Sequence, residues 1–141
     1  MKTIIHTLVL AALLQSLSAM ATAGDALLVV GNVKDQQLNL TREQVRNLFM
    51  GASLGIQLQP LSLPPSSRSR SLFNTKVIGL TESRIQSYWA QMKFTGRMTP
   101  PPEFASEAEL IEYLARHPGT VGYVSEDADL PKNLHILFTA N

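Results

Sequence analysis

The segment Leu58–Phe73 reads LQPLSLPPSSRSRSLF, and it predicts a strand, a stop and the start of a helix. Apolar residues alternate with polar ones before Pro64, and this alternation is typical of a half-buried strand. The prolines end the pattern, and the serines after them favour a helix N-terminus. The first amide N–H groups of a helix lack an intrahelical acceptor and lie at the positive end of its dipole. Serines and arginines at such a turn therefore indicate an anion pocket.

The candidate anion-binding residues follow one another along the chain. They are Ser66, Ser67, Arg68, Ser69 and Arg70. Ser67 is the first choice and Arg70 the second, since Arg70 lies one turn further into the predicted helix. The alternative is that the serines only cap the helix and that the arginines are solvated, because serine caps helices whether or not a ligand is present. Both interpretations remain open at the level of the sequence.

The first 23 residues predict a signal peptide. Lys2 precedes the apolar run Leu8–Leu14, and small residues at the −3 and −1 positions lead to a cleavage site after Ala23. The apolar run is much shorter than the ~20 residues that span a bilayer. We therefore expect a periplasmic protein of one domain, residues 24–141, with no membrane insertion after cleavage.

The composition of residues 24–141 excludes several classes of function. Basic and acidic side chains are equal in number, so the net positive charge typical of nucleic-acid binding is absent. The chain has no cysteine, which excludes disulfides, thiolate metal sites and cysteine nucleophiles. His117 and His135 do not have metal-ligand spacing, and no nucleophile is paired with a base. We expect no enzyme activity, no metal and no cofactor.

Strand and helix patterns alternate along the chain, which predicts an α/β fold. Strands are predicted at residues 26–30, 56–63, 120–124 and 134–138. Helices are predicted after the N-cap residues Thr41, Ser67, Thr81 and Ser106. Phe73 and Trp89 are expected in the core, and the alternative for Trp89 and its neighbour Tyr88 is a ligand-stacking role.

Four segments in this order resemble the phosphate-type periplasmic solute-binding proteins of ABC transporters, and more closely their small single-domain relatives. The segments are Leu40–Gly51, Ser67–Phe73, Tyr88–Gly96 and Pro118–Tyr123. The resemblance covers roughly residues 27–137. It implies a single domain with a mixed sheet flanked by helices, similar to one lobe of a type II periplasmic binding protein.

In that family a Ser-Gly-Thr turn binds phosphate oxygens and opens a helix whose Phe lies six residues after the Ser. Ser67 and Phe73 have this spacing, and Ser69 replaces the Thr. Arg68 takes the position of the Gly, and Leu63 that of a phosphate-binding Arg in the larger proteins. The resemblance implies recognition of a small oxyanion, phosphate first, with an ABC permease or an envelope sensor as partner.

A single lobe leaves such an anion in contact with water, and charge pairs in water are weak, so we expect weak binding unless a second copy or a partner covers the pocket. The alternative function is an interaction module, in which the lobe has lost its ligand and uses the exposed cleft to bind another envelope protein.

Overall fold

The fold is known from a computed structural model that describes residues 25–141. The predicted signal peptide, residues 1–23, lies outside the described residues. Among residues 25–141, no helix combines the length and the apolar character needed to cross a membrane.

The described part of the chain contains one mixed sheet with the strand order β2-β3-β1-β4. The strands are β1 (Leu27–Gly31), β2 (Gln59–Pro60), β3 (Thr120–Ser125) and β4 (His135–Ala140). β1 is antiparallel to both of its neighbours, whereas β2 is parallel to β3. The continuous apolar sequence of β1 is explained by this central position, since a strand covered on both faces has no polar side.

The helices begin at the predicted N-caps. They are α1 (Arg42–Phe49), α2 (Arg68–Phe73), α3 (Glu82–Phe94) and α4 (Glu107–Arg116). The hydroxyl groups of Thr41, Ser67, Thr81 and Ser106 each accept a hydrogen bond from the amide three residues later. α2 continues directly into a π-helical turn, Asn74–Ile78, which ends at Gly79. Gly79 has a φ of 73°, a left-handed conformation that glycine adopts without strain.

Neighbouring residues of β3 face opposite layers of helices. Tyr123 stacks on Phe73 of α2 with ring centroids 4.1 Å apart, and Phe49 of α1 lies 4.8 Å from Phe73. Gly122 faces Leu110 of α4, which a Cβ atom at this glycine would approach to 3.1 Å. Helices therefore cover the sheet on both sides. The predicted α/β domain with a mixed sheet flanked by helices is confirmed.

The strand predicted at residues 56–63 is shorter in the structure. Regular pairing is limited to β2, where the amides of Gln59 and Leu61 donate to the carbonyls of Gly119 and Val121 of the neighbouring segment at 2.8 and 2.7 Å. Beyond it the Ser62 amide donates to the carbonyl of Pro102 at 2.8 Å, and the Phe104 amide donates to the carbonyl of Ser62 at 3.0 Å. The chain thus changes its partner from β3 to residues 102–104 immediately before residues 66–69, which we call the serine turn.

Candidate functional site

The five predicted anion-binding residues lie at the start of α2, but their side chains have different surroundings. Ser66 and Arg68 are exposed, and Ser67 is half-buried. Ser69 and Arg70 are buried. Successive side chains of a helix point about 100° apart, so neighbouring residues of one turn can face either the solvent or the protein interior. We call Ser66, Ser67 and Arg68 the outer group, and Ser69 and Arg70 the inner group.

Ser67 is the N-cap of α2. Its Oγ accepts a hydrogen bond from the Arg70 amide at 3.3 Å, and its own amide donates to the carbonyl of Pro64 at 2.9 Å. The cap does not use the hydroxyl proton of Ser67, because the Oγ acts there as an acceptor. The amides of Arg68 and Ser69 begin the helix, where no intrahelical acceptor exists. The start of α2 therefore retains hydrogen-bond donors that can donate to an anion.

Arg68 forms an ion pair with Asp25 at the surface. The two side chains are 72% and 58% exposed. Exposed ion pairs contribute only about 0–1 kcal/mol, because water and salt screen them. Arg68 can therefore exchange Asp25 for another anion at a small cost in free energy.

Ser69 belongs to a different set of contacts. Its hydroxyl donates to the carboxylate of Glu107, the first residue of α4. The same carboxylate accepts hydrogen bonds from the Ser125 amide at 2.9 Å and from the Ser125 hydroxyl at 3.0 Å. Glu107 thus joins α2, α4 and the end of β3. The Ser69 hydroxyl, which was predicted to bind an anion, donates instead to a carboxylate of the protein itself.

Arg70, which is itself buried, is the centre of a polar group that we call the Arg70 cluster. Its other members are Ser62, Asn74, Glu82 and Glu103. The Nε atom of Arg70 donates to Glu82 Oε2 at 3.1 Å, and Nη2 donates to the second oxygen of the same carboxylate. Nη1 donates to Glu103 Oε1 at 2.8 Å. The two-pronged contact with Glu82 has the geometry that makes arginine–carboxylate pairs strong and specific.

The charges of the Arg70 cluster stabilise one another. Burial opposes the charge of Glu82, but hydrogen bonds from Arg70, Gln86 and Asn74 outweigh it and lower the pKa of this carboxyl. Burial also opposes the charge of Arg70, and the hydrogen bonds to Glu82 and Glu103 outweigh it and raise the guanidinium pKa. Glu82 and Arg70 are therefore both charged at neutral pH. Two carboxylates face one guanidinium, so the cluster has no positive charge to offer an anion.

Tyr123 connects the sheet to the Arg70 cluster. Its hydroxyl lies 2.9 Å from Ser62 Oγ and accepts a hydrogen bond from the Leu63 amide at 3.2 Å. Burial raises the pKa of Tyr123, so the phenol stays protonated. The cavity beside these residues has a volume of only about 80 Å³. Little room remains next to Arg70 for a ligand.

A larger and more open depression adjoins the cluster, and we call it the Ile56 groove. It has a volume of about 480 Å³ and is lined by parts of segments 51–60 and 98–102, with Trp89 among the residues of its wall. None of the residues that line it is charged. Ile56 is 46% exposed there. The groove can therefore accept an uncharged or apolar partner.

The carboxylates that hold the inner group were not found by sequence reasoning. Glu82, Glu103 and Glu107 lie 12 to 38 residues from the inner-group side chains, Ser69 and Arg70, that they bind. No local spacing connects such pairs, and Glu107 is also explained as a favourable charge in the first turn of α4. Among residues 25–141, no group of three or more acidic, histidine or cysteine side chains is arranged to hold a metal ion.

The fold is similar to solved structures of phosphate receptors. An ABC-type phosphate transport receptor from Vibrio cholerae matches with a TM-score of 0.59 and 20% identity, over 79% of this chain and 45% of the receptor. PstS from Borrelia burgdorferi matches with a TM-score of 0.49 and 18% identity, over 70% of this chain and 40% of PstS. The chain thus spans less than half the length of these receptors.

No family model matches the sequence, and no curated protein is similar enough in sequence to count as a match. The likeness to the Vibrio cholerae receptor shows that the chain has a periplasmic-binding-protein-like fold, consistent with one lobe of such a receptor.

Proposed function

We propose that this chain is an exported solute-binding protein that recognises a small oxyanion, phosphate first, at the N-terminus of α2. Residues 1–23 act in this proposal as a cleaved signal peptide, and the domain works in the periplasm. It serves an ABC-type phosphate transport or sensing system, with a permease or an envelope sensor as partner. The role is binding without catalysis.

The observation that carries the proposal is the set of donors at the start of α2. The hydroxyls of Ser66 and Ser67 and the amides of Arg68 and Ser69 lie within one helical turn, at the positive end of the helix dipole. The exposed guanidinium of Arg68 adds a charge that is held only by a surface ion pair. The fold supports the same ligand class, since a similar structure is a phosphate transport receptor.

The inner group has a positioning role in this proposal. The Ser69 hydroxyl is engaged by Glu107, and the Arg70 guanidinium by Glu82 and Glu103. These carboxylates, together with Asp25, repel a further anion. We therefore expect a dissociation constant in the millimolar range, equivalent to about 4 kcal/mol of binding free energy.

A titration with inorganic phosphate, followed by amide NMR shifts of the exported protein, tests the proposal. The amides of Arg68 and Ser69 should shift, and added salt should weaken the effect. Ser67→Ala removes one donor, so we expect about a fivefold loss of affinity. Asp25→Asn should strengthen binding, because it releases Arg68. Ser87→Ala, an exposed serine of α3, is the matched control and should bind as the wild type does.

Absence of any shift at tens of millimolar phosphate would overturn the oxyanion function. So would shifts that Ser67→Ala and Asp25→Asn leave unchanged, because the anion would then bind elsewhere.

An interaction module is the second candidate function, and the Ile56 groove favours it. The groove is roughly six times as large as the cavity beside Arg70 and has no charged lining residue. Grooves of this character accept apolar side chains of a protein partner more readily than a hydrated anion. In this candidate function the partner is another envelope protein.

A further inference from the structure

Phe94, the last residue of α3, stands out among the described residues because it is 92% exposed. The other large hydrophobic residues with high exposure, Ile56 and Ile136, are 46% and 41% exposed. The end of α3 is closed by helical hydrogen bonds, since the Thr95 amide donates to the Gln91 carbonyl at 3.1 Å. A phenyl ring is therefore held in water on a defined helix end, where burial in an apolar phase is favourable.

The charged residues next to Phe94 in the sequence are basic. Lys93 precedes it, Arg97 follows three residues later, and both side chains are exposed. From Ser83 to Pro102 the sequence contains no acidic residue and three basic ones. Residues 24–141 as a whole have equal numbers of acidic and basic side chains. The end of α3 thus combines the exposed ring of Phe94 with a local excess of basic residues in the sequence.

The charge pattern argues against a second copy of this chain as the occupant of this surface. The Ile56 groove is an uncharged depression into which a ring could fit, but none of its lining residues is a carboxylate that could pair with Lys93 and Arg97. A stable protein interface buries about 800 Å² per partner around a packed apolar centre. A single ring flanked by two cations does not provide such a centre.

We propose that the end of α3, formed by Lys93, Phe94 and Arg97, docks the protein on an anionic lipid surface. The ring enters the headgroup region, and the two cations interact with lipid phosphates. One ring and two charges give weak and reversible binding, well short of a stable anchor. This surface is separate from the serine turn and does not depend on the function proposed for it.

Co-sedimentation of the exported protein with vesicles tests this proposal. Vesicles of equal parts phosphatidylglycerol and phosphatidylcholine should retain the protein, and vesicles of phosphatidylcholine alone should retain much less. Phe94→Ala and the double variant Lys93→Gln/Arg97→Gln should each lower retention several-fold, and salt should weaken retention of the wild type. Mass spectrometry should show that the wild type and the variants begin at the same residue. Differences in vesicle retention are then caused by the substitutions in α3.

Two controls separate this surface from other sources of binding. Ile136→Ala removes an exposed hydrophobic residue of β4 and should leave retention unchanged. Ser87→Ala changes an exposed residue of α3 outside the proposed surface and should also leave retention unchanged. Far-ultraviolet circular dichroism should show that the variants are folded.

The proposal is overturned if the wild type does not sediment with anionic vesicles, or if it sediments equally with both kinds. It is also overturned if Phe94→Ala is retained as well as the wild type. Self-association in analytical ultracentrifugation that Phe94→Ala abolishes, without lipid binding, would assign the ring to a second copy of the chain instead.

Discussion

The Arg70 cluster and the Ile56 groove are neighbours with opposite properties. The cluster concentrates charge, is mostly buried and has almost no free volume. The groove is open, larger and without charge. Trp89 and Pro100 line both spaces. The comparison shows that the charged side chains of the central region pair with one another, whereas the surface beside them is open and uncharged.

The largest expected effect is the loss of the indole that separates the two regions. Trp89 is 6% exposed, and Trp89→Ala should lower the free energy of unfolding by ~3–5 kcal/mol, because it leaves a cavity that the surrounding residues cannot fill. Denaturant unfolding measures this change. Gln91→Ala, an exposed position of α3, is the control with little expected effect. A loss below about 1 kcal/mol for Trp89→Ala would mean that the groove does not depend on this packing.

Removal of the central charge of the cluster should have the next largest effect. Arg70→Met leaves Glu82 and Glu103 without their cation, and we expect a loss of about 3 kcal/mol. The partial exposure of these carboxylates, 30% and 43%, keeps the loss at the lower end of the range for buried pairs. Arg68→Met, two residues earlier, makes the same chemical change at an exposed pair and should cost less than about 0.5 kcal/mol. Equal losses of unfolding free energy in the two variants would contradict the distinction between the inner and outer groups.

The smallest expected effect is a change in acid sensitivity. The folded state lowers the pKa of Glu82, so this carboxylate stabilises the protein above its unfolded-state pKa of about 4.3, and the contribution is lost as pH falls through the folded value. Glu82→Gln should therefore flatten the decline in unfolding free energy below about pH 4. Glu112→Gln, an exposed carboxylate of α4, is the matched control. If the unfolding free energies of the wild type and Glu82→Gln decline with pH at the same slope, the ionic role assigned to Glu82 is contradicted.

The helices and the class of fold could be predicted because their signals are local. Thr41 and Gln44 form the capping box that their spacing indicates, with reciprocal hydrogen bonds of 2.9 and 3.2 Å. The prediction that Phe73 and Trp89 lie in the core is confirmed, with 3% and 6% exposure. The length of β2 could not be predicted, because it depends on pairing with residues 102–104, which are distant in sequence.

At the candidate site, helix capping was predictable from the sequence, whereas the internal contacts of Ser69 and Arg70 were not. A serine before a helix is recognisable from its neighbours, and Ser67 does cap α2. The partners of Ser69 and Arg70 are set by tertiary contacts with carboxylates on other segments. Sequence alone therefore indicates which groups are suited to an anion, but not which of them the fold has already paired.

The π-helical turn Asn74–Ile78 contains one residue more than a regular α-helix would need between the serine turn and Gly79. The amide of Gly79 donates to the carbonyl of Asn74 at 2.7 Å, across five residues instead of four. A relative with a regular α-helix here would be one residue shorter. When its sequence is aligned with this one, the gap belongs inside the π-helical turn. A gap placed before α2 would shift each serine and arginine by one position, a rotation of about 100° that exchanges the outer side chains with the inner ones.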